Sequence, residues 1–444
     1  MPWEQFSLGL APEVTGGTGV PATYLRLWDM KTAWRDVETA RGVYDFSVLD
    51  QRVAQAEANG SKVLLVLGLT PQWAARDPNL GDPRWGAGSA SPPADPATFT
   101  EYVTTVLQRY GGRIAAIESW NEANLTTFWG GTPEEMADLT QRAKQAAAAA
   151  SPGTRVFAAS TTTRLAKPMA KFFGPYAKAL SDRGMPIDGW TLHSYPAANA
   201  GPAARYDGIV AWQKVVKAVL PEGSTALDLP VWDTEVNYGL AGPGAIPHTD
   251  FDASTSGQFV ARTILDSVRA GLDGTFWYLW TAGPYSLLGV QMYSGTTATI
   301  GAYNTMRNWI GGATFRSCEE TSDGFVKCYF TKGGAPFVVV ESKTGDTLSF
   351  SGLSTLPAET WDGQSINPAG TVPIGNGPVR FSCTAANAAQ CAPGATGTAD
   401  DSSASSPDKP TAQPLAKIKC KKRSNGNIRF FELKRCPRGY RLVR

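Results

Sequence analysis

Two glutamates each follow a short run of apolar and aromatic residues. Glu122 lies in ESWNEANL (residues 118–125), and Glu235 lies in VWDTEVNYG (residues 231–239). A carboxyl group at the end of a buried strand sits in surroundings that can shift its pKa, so two such groups can hold different charges. One protonated and one ionised carboxyl group are what the cleavage of a glycosidic bond requires.

Other candidate residues occupy the ends of further predicted strands. Parallel strands in a closed barrel bring their carboxyl-terminal ends to one face, so residues far apart in the chain meet there. Tryptophan side chains at this face offer flat apolar surfaces on which sugar rings can stack. The two glutamates are therefore joined by a set of predicted substrate-binding residues, Arg26, Trp28, Trp73, Asn121, Trp129, His193, Tyr195 and Trp280.

The two glutamates need different surroundings if they are to hold different charges. A neighbouring Arg26 would keep Glu235 ionised. The apolar side chain of Trp120 and the negative charge on Glu235 would keep Glu122 protonated. Glu118 lies in the body of a predicted strand, where we expect it to form a structural ion pair.

Strands and helices alternate up to about residue 312, a pattern typical of a parallel sheet. No GxGxxG motif follows the first strand, which argues against a dinucleotide-binding sheet. The segment from Ala11 to Thr23 is too short for the usual first crossover helix. A closed (β/α)8 TIM barrel over residues 1–312 is predicted from QFSLGLA, TYLRLWD, KVLLVLGLT, IAAIESWNE, TRVFAAST, DGWTLHSYP, LPVWDTEV and GTFWYLWT.

The pattern changes after residue 313. Short alternating segments separated by Gly, Asp and Pro predict a small antiparallel β-sandwich domain over residues 313–391. Residues 392–414 are small, polar and rich in Pro, Ser and Ala, which predicts a disordered linker. Residues 415–444 form a basic, Cys-containing tail with too few apolar residues for a core of its own.

The six cysteines all lie in the last third of the chain. Their order suggests three local disulfides, 318–328, 383–391 and 420–436, although six cysteines allow about fifteen connectivities and free thiols are the alternative. An even number without a CxxC motif favours an oxidising compartment. We expect a secreted or cell-wall-associated protein whose export signal is absent from this sequence, and no membrane span.

The net charge of +2 is unevenly distributed. Residues 416–444 contain eleven Lys and Arg against one acid, so the rest of the chain is acidic. The tail is predicted either to bind an anionic cell-wall polymer or to fold back on the acidic body as a disulfide-stapled flap. The positive charge of the tail would also suit a nucleic acid. We do not expect that partner, because a polysaccharide enzyme outside the cell has little use for it.

Several longer motifs resemble a known group of enzymes. WNEAN, DTEVNYG, RLWDMKTAWRDVETARGVYDFSVLD, LLVLGLTPQWA and LHSYP resemble the clan A glycoside hydrolases, and family 39 most closely. The resemblance in sequence motifs covers residues 20–312. For the β-sandwich it is limited to the presence of a small β-domain after the barrel. It implies a (β/α)8 retaining enzyme with a small β-domain packed against its barrel, whereas the basic tail has no counterpart in this pattern.

The resemblance also implies roles for individual residues. Glu122 would be the acid/base and Glu235 the nucleophile, in preference to the neighbouring Asp233. Asn121 would contact the 2-hydroxyl of the sugar. The residues that would orient the nucleophile and line the glycone pocket are Arg26, His193 and Tyr195.

We therefore predict a retaining glycoside hydrolase that acts on a poly- or oligosaccharide of a cell wall or exopolysaccharide, and the several tryptophans favour endo action. The two histidines, His193 and His248, lack metal-ligand spacing, so we expect no metal and no other cofactor. We expect a monomer whose partner is its carbohydrate substrate. The alternatives are a transglycosylase with the same residues and a non-catalytic carbohydrate-binding or cell-wall-binding protein.

Overall fold

The computed structural model describes residues 6–10, 13–14, 16–242, 245–368, 370–394, 418–422, 428–431 and 440–442. The chain divides into two compact units, Met1–Gly397 and Thr398–Arg444. The first unit contains a parallel barrel followed by an antiparallel β-domain. Apart from residues 392–394, the predicted disordered linker lies outside the described residues.

Eight parallel strands form the barrel, in the hydrogen-bonded order β5-β4-β3-β2-β1-β8-β7-β6. The strands are β1 (Phe6–Leu10), β2 (Tyr24–Leu27), β3 (Lys62–Val66), β4 (Ile114–Glu118), β5 (Arg155–Phe157), β6 (Trp190–His193), β7 (Val231–Val236) and β8 (Gly274–Trp280). Parallel bridges from Phe157 to Gly189 and from Thr162 to His193 join β5 to β6. The predicted TIM barrel is thus confirmed.

The barrel helices follow the strands from β2 onwards. They are α1 (Ser47–Ala58), α2 (Pro96–Tyr110), α3 (Pro133–Ala150), α4 (Ala166–Asp182), α5 (Pro202–Val219), α6 (Ala253–Arg269) and α7 (Thr297–Ile310). A one-turn helix, Trp34–Val37, and a short hairpin precede α1. None of the described helices has both the length and the apolar character needed to cross a membrane.

The connection between β1 and β2 contains no helix in its described residues, 13–14 and 16–23, as its length predicts. Two helices hold this connection instead. Gln55 of α1 donates a hydrogen bond to the carbonyl of Val14 at 3.0 Å. Tyr303 of α7 donates to the carbonyl of Pro21 at 2.8 Å. The first and last parts of the barrel are thereby tied together.

The β-domain contains a six-stranded antiparallel sheet, β9-β10-β11-β16-β13-β14, and a two-stranded sheet, β12-β15. Its strands are β9 (Thr314–Glu320), β10 (Phe325–Lys332), β11 (Ala335–Ser342), β12 (Leu348–Phe350), β13 (Ala358–Thr360), β14 (Ser365–Ile366), β15 (Val372–Ile374) and β16 (Val379–Ser382). Disulfides join Cys318 to Cys328 and Cys383 to Cys391, which confirms two predicted pairings. The third, 420–436, lies outside the described side chains.

A buried group of charged side chains lies between α6 and strand β11. The Arg262 Nε atom is 3.1 Å from Asp266 Oδ2 and 3.8 Å from Glu341 Oε2. Arg269 Nη1 is 3.7 Å from Glu341 Oε1. Arg262 also donates to the Lys343 carbonyl at 2.9 Å, which links barrel and β-domain. We call Arg262, Asp266, Arg269 and Glu341 the interface cluster.

The second unit contains a three-stranded antiparallel sheet in the order β18-β17-β19. Its strands are β17 (Ile418–Lys422), β18 (Ile428–Phe431) and β19 (Tyr440–Leu442). The sequence did not predict this sheet, because the tail has few apolar residues to signal strands.

Candidate active site

The inward-facing side chains of the barrel set the position of the site. Tyr24 and Ala116 belong to a buried apolar layer inside the barrel. Side chains two residues further along a strand face the same side. Arg26 therefore stands above Tyr24, and Glu118 above Ala116, so the polar site rests on an apolar floor.

Arg26 is almost fully buried and connects several acidic and polar side chains. It donates to both carboxylate oxygens of Glu118, at 3.2 and 3.0 Å, and to Asn121 Oδ1 at 2.9 Å. Its Nη1 atom donates to Glu235. Burial alone would lower the pKa of Arg26, but the charges of Glu118 and Glu235 outweigh burial and raise it. Glu118 thus forms the ion pair expected of it.

A β-bulge turns Glu235 towards the inside of the barrel. On the neighbouring strand β6, Leu192 pairs with Asp233 and His193 pairs with Glu235, so Thr234 is an extra residue in β7. Without the bulge, Asp233 and Glu235 would share one face, because strands alternate with a period of two.

The bulge gives the two acids different partners. Asp233 accepts a hydrogen bond from Arg205 of α5 at 2.7 Å and from the Ser194 amide at 3.1 Å. It lies away from the cleft, in a fully buried ion pair. Glu235 instead joins Arg26 inside the barrel. Of the two, only Glu235 can meet a ligand.

Tyr195 and His193 complete the surroundings of Glu235. The Tyr195 hydroxyl donates to Glu235 Oε2 at 2.7 Å. Burial and then the charge of Glu235 raise the pKa of Tyr195, so its hydroxyl stays a donor. His193 Nδ1 lies 3.1 Å from Glu122 Oε1 and 3.4 Å from Glu235 Oε2. Burial would lower the pKa of His193, but Glu235 and Glu122 raise it overall.

Glu122 lies beyond the end of β4 in an unusual backbone conformation. Its φ angle is 38°, in the left-handed region. Its amide donates to Ser160 Oγ at 3.0 Å. For a residue with a Cβ atom this conformation costs on the order of 1–3 kcal/mol, and such strain clusters at functional sites.

The carboxyl groups of Glu122 and Glu235 lie close together. One oxygen of each and a ring nitrogen of His193 all lie within 4.8 Å of one another. These three atoms could in principle bind a metal ion. Arg26 and Tyr195 already donate hydrogen bonds to the two oxygens of Glu235. The positive charge of Arg26, which is in direct contact with Glu235, would repel a metal ion bound there. We call Arg26, Glu118, Glu122, His193 and Glu235 the active-site cluster.

A cavity of about 320 Å³ opens above this cluster. Trp28 forms one wall, with ring centroids 5.4 Å from Trp85 and 5.9 Å from Phe128. Glu122 and Glu235 both line the cavity, as do Asn121 and Tyr195. An apolar aromatic wall beside charged and hydrogen-bonding groups is typical of a small-molecule site.

The remaining predicted tryptophans lie outside this cavity. Trp73 packs edge-on against Trp34 at 6.3 Å and donates to the carbonyl of Glu38 at 3.0 Å. Trp280 is buried in the barrel core. Trp129 is buried against Trp120 at 5.2 Å and borders a different cavity. These rings therefore pack in the protein, and the structure does not bring them to the cleft beside Glu122.

Sequence reasoning missed several residues of the cavity, notably Asp29 and Tyr278. The Tyr278 hydroxyl donates a hydrogen bond to the Asp29 carboxyl group. Burial first, and then the charge of Glu235, raise the pKa of Asp29 to about 7. Asp29 directly follows Trp28, so its place at the end of a strand was a usable signal. Trp85 and Phe128 lie in loops, and their sequence context carried no comparable signal.

Over most of the chain, the fold resembles solved glycoside hydrolases at low sequence identity. A family 39 glycoside hydrolase from the gut symbiont Bacteroides cellulosilyticus WH2 is 17% identical, over 86% of this chain and 81% of that chain, with a TM-score of 0.63. The GH39 enzyme from Xanthomonas axonopodis pv. citri is 18% identical, over 86% and 94%, with a TM-score of 0.57.

A GH30 endoxylanase from Clostridium papyrosolvens C71 is 14% identical, over 87% of this chain and 97% of that chain, with a TM-score of 0.53. No protein-family sequence model matches the chain, and neither does the sequence of any curated protein. The predicted resemblance to family 39 is thus confirmed for the fold.

Proposed function

We propose that this chain is a retaining glycoside hydrolase with Glu235 as nucleophile and Glu122 as acid/base. The observation that carries the proposal is the spacing of the two carboxyl groups, whose nearest oxygens lie within 4.8 Å. Retaining enzymes hold their carboxyl groups about 5–5.5 Å apart, whereas inverting enzymes leave about 6.5–9.5 Å for a water molecule. The likeness of the fold to glycoside hydrolases supports the same reading.

The first step forms a covalent intermediate. A Glu235 oxygen attacks the anomeric carbon while Glu122 gives its proton to the leaving oxygen, and the glycosidic bond breaks. Arg26 and Tyr195 hold Glu235 in place and stabilise its charge before attack. The Nδ1 atom of His193 lies near both glutamates, so it can donate a hydrogen bond to either one when it carries a hydrogen.

The second step releases the sugar. Glu122, now ionised, takes a proton from water, and the water oxygen attacks the anomeric carbon. The bond to Glu235 breaks and its carboxylate is restored. Asn121, held by Arg26 at 2.9 Å, lines the cavity and is our candidate contact for the 2-hydroxyl of the sugar.

We infer a poly- or oligosaccharide as substrate and a secreted location. Three carboxyl groups and the guanidiniums of Arg84 and Arg164 line the cavity beside its aromatic wall, so opposite charges are nearly balanced there and suit the hydroxyl groups of a neutral sugar at the reacting position. The two disulfides of the β-domain favour an oxidising compartment. A cell-wall polymer remains our proposed partner for the basic tail, whose side chains lie outside the described residues.

The test is turnover of a panel of aryl glycosides and polysaccharides by the full chain, with the anomeric form of the first product followed by NMR. Glu235→Gln should reduce kcat by about 10⁴-fold or more without unfolding the protein. Glu222→Gln, an exposed glutamate, is the matched control and should keep full activity. Full activity of the Glu235→Gln variant, or an inverted first product, would contradict the proposal.

Two further measurements separate the alternatives. With Glu235→Ala, azide should restore cleavage of an activated aryl glycoside, because the small anion occupies the space of the lost carboxylate. A transglycosylase would give longer products in place of free sugar at high acceptor concentration. A binding protein would retain the glycan and never cleave it.

A further inference from the structure

A second cavity, of about 590 Å³, adjoins the cleft. Leu125 and Leu165 line both cavities. The second cavity is built from the β4–α3 connection and the start of α4, with Trp129 and Phe172 as its aromatic members. The second cavity therefore borders the cleft, and it is large enough for a sugar unit.

This second cavity is cationic. Lys167 and Lys171 line it, and its lining contains no carboxylate among the described residues. Both lysines are exposed, and neither forms an ion pair within the described part of the chain. The cleft itself differs, because three carboxyl groups, those of Asp29, Glu122 and Glu235, line it together with the guanidiniums of Arg84 and Arg164.

Helix stability does not explain the lysines. Lys167 lies in the first turn of α4, which contains no acidic residue, and Lys171 lies one turn further along. The N-terminus of a helix carries a partial positive charge, so cations there are unfavourable by about 0.3–1 kcal/mol. Lys178, further along the same helix, has the usual arrangement, since it pairs with Asp182 at 2.7 Å.

The position of the cavity tells which part of a substrate would enter it. The acid/base gives its proton to the leaving group, so the leaving sugar lies on the side of Glu122. Ala123, Asn124 and Leu125 line the second cavity and directly follow Glu122 in the chain. None of the lining residues comes from β7, β8 or their following loops. The second cavity is thus on the leaving-group side.

We propose that the second cavity is a leaving-group subsite for an anionic sugar unit, one that bears a carboxylate or a sulfate ester. This inference rests on the proposed hydrolase function. The oxyanion would meet Lys167 and Lys171, while the sugar ring lies against the apolar lining that Leu125 and Leu165 provide. The substrate would then have a neutral unit in the cleft and an anionic unit beyond the cleaved bond.

The experiment compares Lys167→Gln/Lys171→Gln with Lys178→Gln, in the full chain carrying Glu235→Gln to prevent turnover. Calorimetry measures binding of neutral xylotriose and of two trisaccharides that keep its neutral non-reducing xylose and carry, beyond it, either a glucuronate or a sulfated xylose. We expect tighter binding of one or both anionic probes than of xylotriose. The double variant should lose this preference by about 3- to 30-fold, and Lys178→Gln should keep it. The two anionic probes separate a carboxylate from a sulfate.

A second arm keeps this proposal distinct from the function itself. The double variant with Glu235 intact should cleave an aryl glycoside with unchanged kcat/KM, because a small neutral leaving group makes no use of the lysines. Absence of cleavage by the parent chain would count against the hydrolase. Equal binding of neutral and anionic probes, or an equal loss of both in the double variant, would overturn the subsite.

Discussion

The active-site cluster and the interface cluster both place carboxyl groups and arginines in the interior of the protein. In the active-site cluster one guanidinium, that of Arg26, serves several acceptors. In the interface cluster two guanidiniums surround Glu341, whose oxygens accept no hydrogen bond from the described residues. Burial first, and then the charge of Asp266, raise the pKa of Glu341 well above its ordinary value.

The difference between the two clusters is access. Glu122 and Glu235 line a cavity, with 13% and 8% of their side chains exposed. Glu341 and Asp266 are fully buried. A buried, charged group of residues is therefore no sign of catalysis by itself, and an open face beside it is what lets chemistry occur.

The largest expected effect comes from removing one arginine of each cluster. Arg26→Met and Arg262→Met should each lower the free energy of unfolding by about 3–5 kcal/mol, because each removes one guanidinium from a buried group of ion pairs. Only Arg26→Met should also lower kcat, by about 10³-fold. Urea unfolding and steady-state kinetics measure the two effects. If both variants lost kcat equally per folded molecule, the proposed difference between the active-site cluster and the interface cluster would be wrong.

The next effect concerns a tyrosine that donates to a glutamate. Tyr195→Phe removes the 2.7 Å bond to Glu235 and should lower kcat by about 10²-fold. Tyr329→Phe removes the matching bond to Glu319 in the β-domain and should leave kcat unchanged. If Tyr195→Phe retained full kcat, the tyrosine would have no part in holding the nucleophile.

A smaller effect is expected from Asp29, whose pKa is raised to about 7. The unfolded chain loses this proton near pH 4 and the folded chain near pH 7, so the folded protein loses stability as pH rises through this window. Asp29→Asn should match the parent in Tm at pH 4 and exceed it by about 2 °C at pH 8. If the difference in Tm between Asp29→Asn and the parent were the same at pH 4 and pH 8, the raised pKa would be contradicted.

The smallest effect on activity is expected in Glu341→Gln, which tests the closed cluster. Because the pKa of Glu341 is raised, the parent loses stability as pH rises above about 4.5. The variant should gain in Tm relative to the parent between pH 5 and pH 9, with kcat unchanged throughout. Any change in kcat with pH that is specific to this variant would show that the interface communicates with the cleft.

Sequence reasoning located the parts of the site that depend on strand order. Arg26 and Glu235 were predicted to meet because barrel strands end on one face, and the structure brings them into contact. The bulge at Thr234, which turns Glu235 inward, has no signature in VWDTEVNYG. The alternation of the strand alone would have placed Glu235 beside Asp233.

The direction of large rings was harder to predict. Trp73 points to the carbonyl of Glu38, a partner fixed only when the hairpin after β2 folds. The raised pKa of Asp29 depends on burial and on Tyr278, a residue 249 positions away. Such properties come from tertiary contacts, and a local pattern does not contain them.

The connection from β1 to β2 has a consequence for how the protein is made. Strand β1 pairs with β8, and Tyr303 reaches back over 282 residues to Pro21. At about 5–20 residues per second, synthesis leaves the early strand without this partner for on the order of 15–60 s. The barrel can close only after β8 has been synthesised, and until then the unpaired edge of β1 can form non-native pairs with other strands. Barrel closure should therefore be a late step in the folding of this protein, and the step at which mispairing of strands is the main risk.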